Sequence, residues 1–315
     1  MRLHQMSVRQ GDPLTNTETV LRHVAAARAD GVRLAVFPEL ALTGVLTATE
    51  WLGDSFLKTC DMCLERVGAA SQGIALILGV AVKYRGRMVN AVVAFEDGQR
   101  VIPAGSPVPF LPKHLSDANR FDGACGFLCA GAVAGMERVP FDTFLTPLSF
   151  RDFRVGVWIG NANPGAGALL AGRGAALLVQ LDTVPYVRNR PPAADGTPPA
   201  VPFARCGAVG IVDAGKTLFV LNGGTGLRLP DGTGAQAPLF AEAAVDGRDV
   251  SCAPQPAEAS SPKVVIEALE TACRMQLARL GLKRVVVGAS GGIDSALTSA
   301  LYSRVAGPEN LLLVN

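Results

Sequence analysis

The 315-residue chain is short of charge. Asp, Glu, Lys and Arg make up 18 % of it, against about 25 % in an ordinary soluble domain. A large share of the chain must therefore find cover, either as buried parallel strands or as a subunit interface. The charges present nearly cancel, 29 basic against 27 acidic, and no run of Lys or Arg stands out. That argues against nucleic acid or an anionic membrane as partner. Uninterrupted apolar runs of spanning length are also missing. The longest charge-free segment, residues 155–172, is broken by Asn161, Asn163, Pro164 and several glycines, which excludes a membrane-crossing helix there. Met1-Arg2-Leu3-His4-Gln5 lacks the apolar core of a secretory signal. The seven cysteines, an odd number scattered from Cys60 to Cys273, read as thiols of a reducing compartment and not as a disulfide framework. These absences predict a soluble, cytoplasmic protein.

The length corresponds to about two domains, and the patterning is α/β. Residues 5–37 read strand, loop, helix, strand. Asn16 is the expected N-cap, Val20, Leu21, Val24 and Ala25 form the apolar stripe, and Gly31 ends the helix before Leu34-Ala35-Val36-Phe37. A second helix carries Phe56, Leu57, Cys60, Leu64 and Val67. It leads to a hairpin of 74–82 with 89–95 across Tyr84-Arg85-Gly86-Arg87, then to a tight turn at Asp97-Gly98 before Val101-Ile102. Further strands are expected at 153–159, 176–181, 205–212 and 217–221. Prolines at 191–199 exclude helix and central strand. The polar, small-residue stretch 249–260 reads as a linker, so the chain divides into 1–248, the linker, and 261–315. Ser261-Pro262 opens a new helix, with Val265, Leu269, Ala272, Met275 and Leu280 at helical spacing up to Gly281. An apolar strand at 284–289, a glycine-containing loop, a helix over 295–306 and a strand from Leu311 follow.

The loop is Ser290-Gly291-Gly292-Ile293-Asp294-Ser295. It follows a strand and opens a helix, where free N–H groups and the helix dipole favour an anion. Its glycines allow close approach of backbone to phosphate, the two serines can donate hydroxyl hydrogen bonds, and Asp294 can hold a magnesium ion. The plainer reading is a tight turn with Asp294 or Ser295 as an ordinary cap. The six-residue string resembles the pyrophosphate loop of ATP-pyrophosphatases that adenylate a carboxylate or carbonyl, among them the NAD, GMP and asparagine synthetases.

Upstream, Phe37-Pro38-Glu39-Leu40-Ala41-Leu42-Thr43-Gly44 resembles the first motif of the nitrilase (carbon–nitrogen hydrolase) family, whose Glu is the general base. Leu111-Pro112-Lys113-His114-Leu115 followed by Phe121-Asp122 resembles the second, whose Lys stabilises the oxyanion. The glutamine-dependent NAD synthetases join such an amidase to a pyrophosphatase domain. The resemblance implies a four-layer α-β-β-α sandwich followed by the first βαβ part of an ATP-pyrophosphatase (Rossmann-like) domain. It also implies ATP and magnesium as cofactors, and nicotinic acid adenine dinucleotide and ammonia as partners. Several motif positions depart from the family. Where it carries its cysteine nucleophile, in the form Val-Gly-Val-Glu-Ile-Cys-Glu-Asp, this chain reads Val155-Gly156-Val157-Trp158-Ile159-Gly160-Asn161-Ala162. Gly123 replaces the Glu of the family's Phe-Asp-Glu, and Gly215-Lys216-Thr217-Leu218 replaces a Gly-Gln-Asp-Glu stretch. Glycine offers no nucleophile, and losing one costs a comparable hydrolase about six orders of magnitude in turnover.

These residues predict an NAD synthetase that uses ammonia, free or delivered by a separate glutaminase, because its own amidase is inactive. Glu39 and Lys113 are then expected to survive as a vestigial ion pair. Residues 261–315 cannot bury their own apolar strands, so residues 1–315 by themselves are expected to make no NAD. The alternative is a non-catalytic nitrilase-like scaffold or ligand-binding module that drives homo-oligomerisation. A weaker one is a relocated thiol at Cys125 or Cys129. Zinc on Cys60, Cys63, Cys125 and Cys129 competes with the reading of these residues as small core hydrophobes, which is preferred. Among the histidines only His114, beside Lys113, is a candidate site residue; His4 and His23 read as core or surface.

Overall fold

The structure, a computed structural model, describes residues 1–47, 53–114, 129–160, 165–188, 201–215, 217–250 and 261–315. The first unit is β1 (Arg2–Gln5), α1 (Pro13–Ala29) and β2 (Leu34–Val36), with β1 and β2 parallel. Asp12, not Asn16, caps α1: its carboxylate accepts from the Thr15 N–H at 3.1 Å, with Pro13 in the first turn. Asn16 is buried one turn in. Its amide donates to the carbonyls of Arg9 (2.7 Å) and Leu42 (2.9 Å), and its oxygen accepts from the Arg9 N–H (2.9 Å). Asn16 is taken up by these tertiary contacts, and Asp12, four residues earlier, supplies the cap in its place.

Next come α2 (Asp54–Ala69), β3 (Ala75–Tyr84), β4 (Arg87–Glu96), β5 (Gln99–Arg100) and β6 (Leu111–Pro112). The expected hairpin is β3 with β4, and its turn residues Arg85 and Gly86 both have positive φ, as a two-residue hairpin loop requires. Asp97 and Gly98 do the same, so pairing resumes at once with Glu96 opposite Gln99. The strand after that turn is therefore 99–100, not 101–102. Then follow α3 (Ala130–Glu137), β7 (Leu148–Ser149), β8 (Arg154–Ile159), α4 (Ala166–Gly172), β9 (Leu177–Asp182), β10 (Phe203–Gly207), β11 (Val209–Asp213), β12 (Leu218–Asn222), β13 (Gly226–Arg228), β14 (Gly234–Gln236) and β15 (Ala243–Asp246).

The single strand expected at 205–212 is two. β10 pairs with β9 and β13, whereas β11 leaves that sheet and pairs with β12. Gly207 marks the exit, since a Cβ there would sit 1.9 Å from the Gly223 carbonyl oxygen. One apolar run covers both strands, so hydropathy alone did not show the break.

One sheet has the order β15-β1-β2-β3-β4-β5 with β6 also on β4; the other runs β14-β13-β10-β9-β8-β7. Leu3, Val36 and Ile77 of the first meet Val157, Val179, Leu181 and Cys206 of the second. Val20, Val24, Leu64 and Val67 of α1 and α2 cover the far side of the first sheet, over Phe37, Leu76 and Leu78. α4 covers the second through Leu170, with Leu178, Phe203 and Trp158. The layer order is the expected α-β-β-α. β3 and β4 are covered on both faces, which is why they read as unbroken apolar runs.

At the carboxyl end α5 (Pro262–Leu280) starts at the Ser261 cap and ends at Gly281, whose φ is +66°. β16 (Val285–Gly288), α6 (Ile293–Ala306) and β17 (Leu311–Val314) form the expected βαβ unit with parallel strands. α5 lies against β11 and β12, and Arg279 pairs with Asp213 at 3.4 Å. The unit is largely uncovered: Val286, Leu312 and Leu313 of its sheet and Ile293 at the start of α6, the last 83 % exposed, face outward. Part of the low charge content lies here. Among the described residues no helix is long and apolar enough to cross a membrane.

His4 sits on the helix side of β1, 2 % exposed, its ring stacked on Phe37 at 4.8 Å and near that of His23. Neither ring nitrogen has a hydrogen-bond partner among the described residues. Burial, then His23 and Arg2, push its pKa from 6.5 down to about 3. Between those values the unfolded chain binds a proton that the folded chain refuses. This contribution is therefore fully present above the unfolded pKa and is lost as pH falls through the window. Urea unfolding should show stability dropping on acidification by up to about 1.4 kcal/mol per pH unit from this group, and the slope should be shallower in H4L.

Candidate functional site

Past the end of β2 the chain turns sharply at Phe37-Pro38-Glu39-Leu40. The Phe37 N–H donates to the Ile77 carbonyl at 2.8 Å, and Gly79 of β3 brackets the turn, donating to Pro38 and accepting from Ala41. A Cβ on Gly79 would lie 2.5 Å from the Glu39 Cα, so only glycine lets the two backbones approach this closely. Leu40 takes φ +52°, a conformation non-glycine residues adopt where surrounding structure dictates it. The result is a Glu39 carboxylate aimed into the interior and 0 % exposed.

Lys113 follows β6. Its N–H donates to the Asn90 carbonyl and its own carbonyl accepts from the Ala130 N–H, both at 2.8 Å. That anchorage brings the ammonium, 5 % exposed, to within 2.6 Å of Glu39 Oε1. Asn90 of β4 donates to the same oxygen at 2.8 Å. Oε2 accepts from the Thr183 N–H at 2.8 Å and from its hydroxyl at 2.6 Å. Glu39 and Lys113 therefore lie together, as the sequence led one to expect. Asn90 and Thr183 went unnoticed in the sequence. The signal available for each was a polar residue interrupting or ending an apolar strand.

Gly160 ends β8, with φ +71° and its N–H on the Leu181 carbonyl at 2.9 Å. Thr183 stands two residues beyond Leu181, at the end of the neighbouring parallel strand. Trp158, two residues before Gly160, turns away to stack on Phe203 under α4 (5.9 Å). Phe121, Asp122, Gly123, Cys125, Asn161, Ala162 and Lys216 lie outside the described residues. Cys60 and Cys63 face the core from α2, and burial pushes the Cys60 thiol up to about 12. Cys129 sits at the N-cap of α3. His114 tilts over Phe141 at 4.8 Å.

The loop between β16 and α6 stands apart from this cluster. Gly292 occupies the N-cap of α6 with no side-chain cap, and Asp294 lies in the first turn. Gly291 has φ +80° and open space where a Cβ would be. The Ser290 hydroxyl meets that of Ser295 at 3.3 Å, and Ser295 donates to the Gly292 carbonyl. Uncapped N–H groups, two hydroxyls, an open approach and one carboxylate fit a phosphate chain with magnesium.

Two substitutions test the buried cluster. K113A should cost about 3–5 kcal/mol in urea unfolding, because it leaves the Glu39 charge buried without its cation. K83A, which removes an exposed pair with Asp54, should cost less than about 1 kcal/mol. G79A should cost about 1–3 kcal/mol by overpacking against Glu39.

Comparison with known proteins bears on both regions. The carbon-nitrogen hydrolase family model matches residues 2–106 and the NAD synthase model residues 265–315. Glu39 falls inside the first match and the loop inside the second; Lys113 and Gly160 lie outside both. The glutamine-dependent NAD(+) synthetase of Xanthomonas campestris pv. campestris is 26 % identical over 95 % of the chain and 54 % of its own length. A solved glutamine-dependent NAD+ synthetase from Acinetobacter baumannii, in complex with adenosine diphosphate, superposes with a TM-score of 0.74 at 19 % identity, over 99 % of this chain and 58 % of that one. An amidase of the nitrilase superfamily from Nesterenkonia AN1 superposes with a TM-score of 0.58 at 16 % identity, over 77 % of this chain and 87 % of that one. The chain thus spans about half the length of the synthetases it matches. The chain is similar to the glutamine-dependent NAD(+) synthetases, and its residues 2–106 match the carbon-nitrogen hydrolase model and 265–315 the NAD synthase model.

Proposed function

We propose that the protein carrying this chain is an ATP-dependent carbon–nitrogen ligase that amidates nicotinic acid adenine dinucleotide to NAD, and that its amidase-like region no longer hydrolyses glutamine. The observation that carries the second half is Gly160 at the strand end where the family has its thiol. Residues 1–248 form the (pseudo)amidase, 249–260 the linker and 261–315 the start of the synthetase domain. This assignment rests on the hairpin-and-sandwich body on one side and the Ser261 cap on the other.

In this reading the N–H groups at the start of α6 and the hydroxyls of Ser290 and Ser295 hold the pyrophosphate of ATP, while Gly291 and Gly292 let it approach. Asp294 would hold magnesium, which supplies charge screening of the phosphates when bound. The carboxylate of the dinucleotide attacks the α-phosphorus, pyrophosphate leaves, and ammonia then displaces AMP from the acyl adenylate. Amide hydrolysis needs a nucleophile, a base and an oxyanion donor. At the positions that carry these roles in the family motifs, this chain has Glu39, Lys113 and Gly160, and the first two are bound to each other. Ammonia accordingly arrives free or from a separate glutaminase.

The test is isotope tracing with the complete protein that carries this chain, supplied with ATP, magnesium and the dinucleotide. Labelled ammonium should enter NAD, while label from amide-labelled glutamine should stay out and glutamate release should remain at background. Incorporation from glutamine would overturn the inactive amidase. No NAD from either source would overturn the ligase. S290A should lower turnover about a hundredfold, the usual cost of one preorganised donor to developing charge.

A further inference from the structure

The reading above explains the inactive amidase by the missing thiol alone, but the geometry of the old general base carries a second cause. An ionised carboxylate has about four lone-pair positions on its two oxygens. Among the described residues four donors reach them: the Lys113 ammonium and the Asn90 amide on Oε1, the Thr183 N–H and hydroxyl on Oε2. All four distances lie between 2.6 and 2.8 Å, in the range of charge-assisted bonds. A general base must accept a proton from its nucleophile through one of these positions. Oε2 is held by Thr183, which follows directly on β9, the strand parallel to the one that Gly160 ends.

We infer that Thr183 is a positioning residue that takes Glu39 out of base chemistry. Its hydroxyl occupies the acceptor site through which a nucleophile at position 160 would pass its proton, so the carboxylate acts as a fixed cross-link and no longer as a proton acceptor. The inference rests on the proposed loss of the amidase. It goes further in saying that returning the thiol alone does not restore communication with Glu39.

The experiment is a cycle built on G160C: that variant alone, with E39Q, with T183V, and with both. Each is checked for folding by circular dichroism. Alkylation of the introduced thiol by acrylamide at neutral pH is followed by intact-mass spectrometry. With Thr183 in place, E39Q should change the rate by less than about twofold, the scatter of independent sites. With T183V, E39Q should change it about tenfold or more, the low end of what a base in contact contributes. Glu39 dependence with Thr183 still present would overturn the inference. So would equal rates in all four variants, including no reaction in any.

Should E39Q fail to fold, T183S and T183V on G160C serve instead, compared through their rate–pH profiles. T183S keeps the hydroxyl and should match the threonine parent, whereas T183V should depart from it. If T183S and T183V behave alike, the hydroxyl is not the block. None of these readouts depends on glutamine hydrolysis by the unaltered protein, so failure here and failure of the inactive-amidase reading are separately visible.

Discussion

A carboxylate with no exposed surface is costly to keep ionised unless its neighbours replace the water it has lost. Around Glu39, in the turn after β2, the described residues do so from three places in the chain: the strand β4, the segment after β6 and the residue that follows β9. Glu39 and two of these places belong to the first sheet and one to the second, so the cluster ties the two sheets together. Much of the local backbone exists to make that possible. Gly79 gives up its side chain to let the Glu39 backbone in, Leu40 adopts a left-handed conformation behind it, and Lys113 is held by backbone bonds on both sides.

The same cluster gives Glu39 and Lys113 a structural reason to be kept, independent of any chemistry. Once the ion pair is buried, removing either partner strands the other's charge, at a cost well above that of an average substitution. Gly160 carries no such penalty. It sits at a strand end with positive φ, where glycine is the least strained residue and an L side chain is disfavoured. On the proposed reading, the nucleophile position is the one that tolerates replacement, and the base position the one that does not. The motif in the sequence reflects stability as much as activity.

The two ends of the molecule differ in how far they are self-sufficient. The sandwich fills its own interior, with clusters between the sheets and under α1 and α2. The βαβ unit at the carboxyl end has a two-stranded sheet in which Val286, Leu312 and Leu313 face outward, and α6 buries none of its residues. Its contact with the body runs through α5, by way of Arg279 and Asp213. The loop between β16 and α6 is nonetheless formed, because a strand end, two glycines and a helix start are local features that need little from elsewhere.

Local signals account for most of what was legible in the amino acids. Hairpin turns with Asp97-Gly98 and Arg85-Gly86, the Ser261-Pro262 helix start, the unbroken strands β3 and β4 and the glycine-containing turn from β16 into α6 all depend on neighbours in sequence, and all are where the residues put them. The pairing of Glu39 with Lys113 was readable only through family resemblance. Other features depended on what came close in space. Asp12 displaced Asn16 as the cap because Asn16 found Leu42; one apolar run became β10 and β11 because Gly223 presses on Gly207. Thr183 joined Glu39 across 144 residues of chain. By itself the sequence determined periodicity, turns and the absence of a thiol at Gly160. Which polar groups would satisfy the buried carboxylate was decided by the folded structure, since burial creates that demand and only the packing of the two sheets brings the donors within reach.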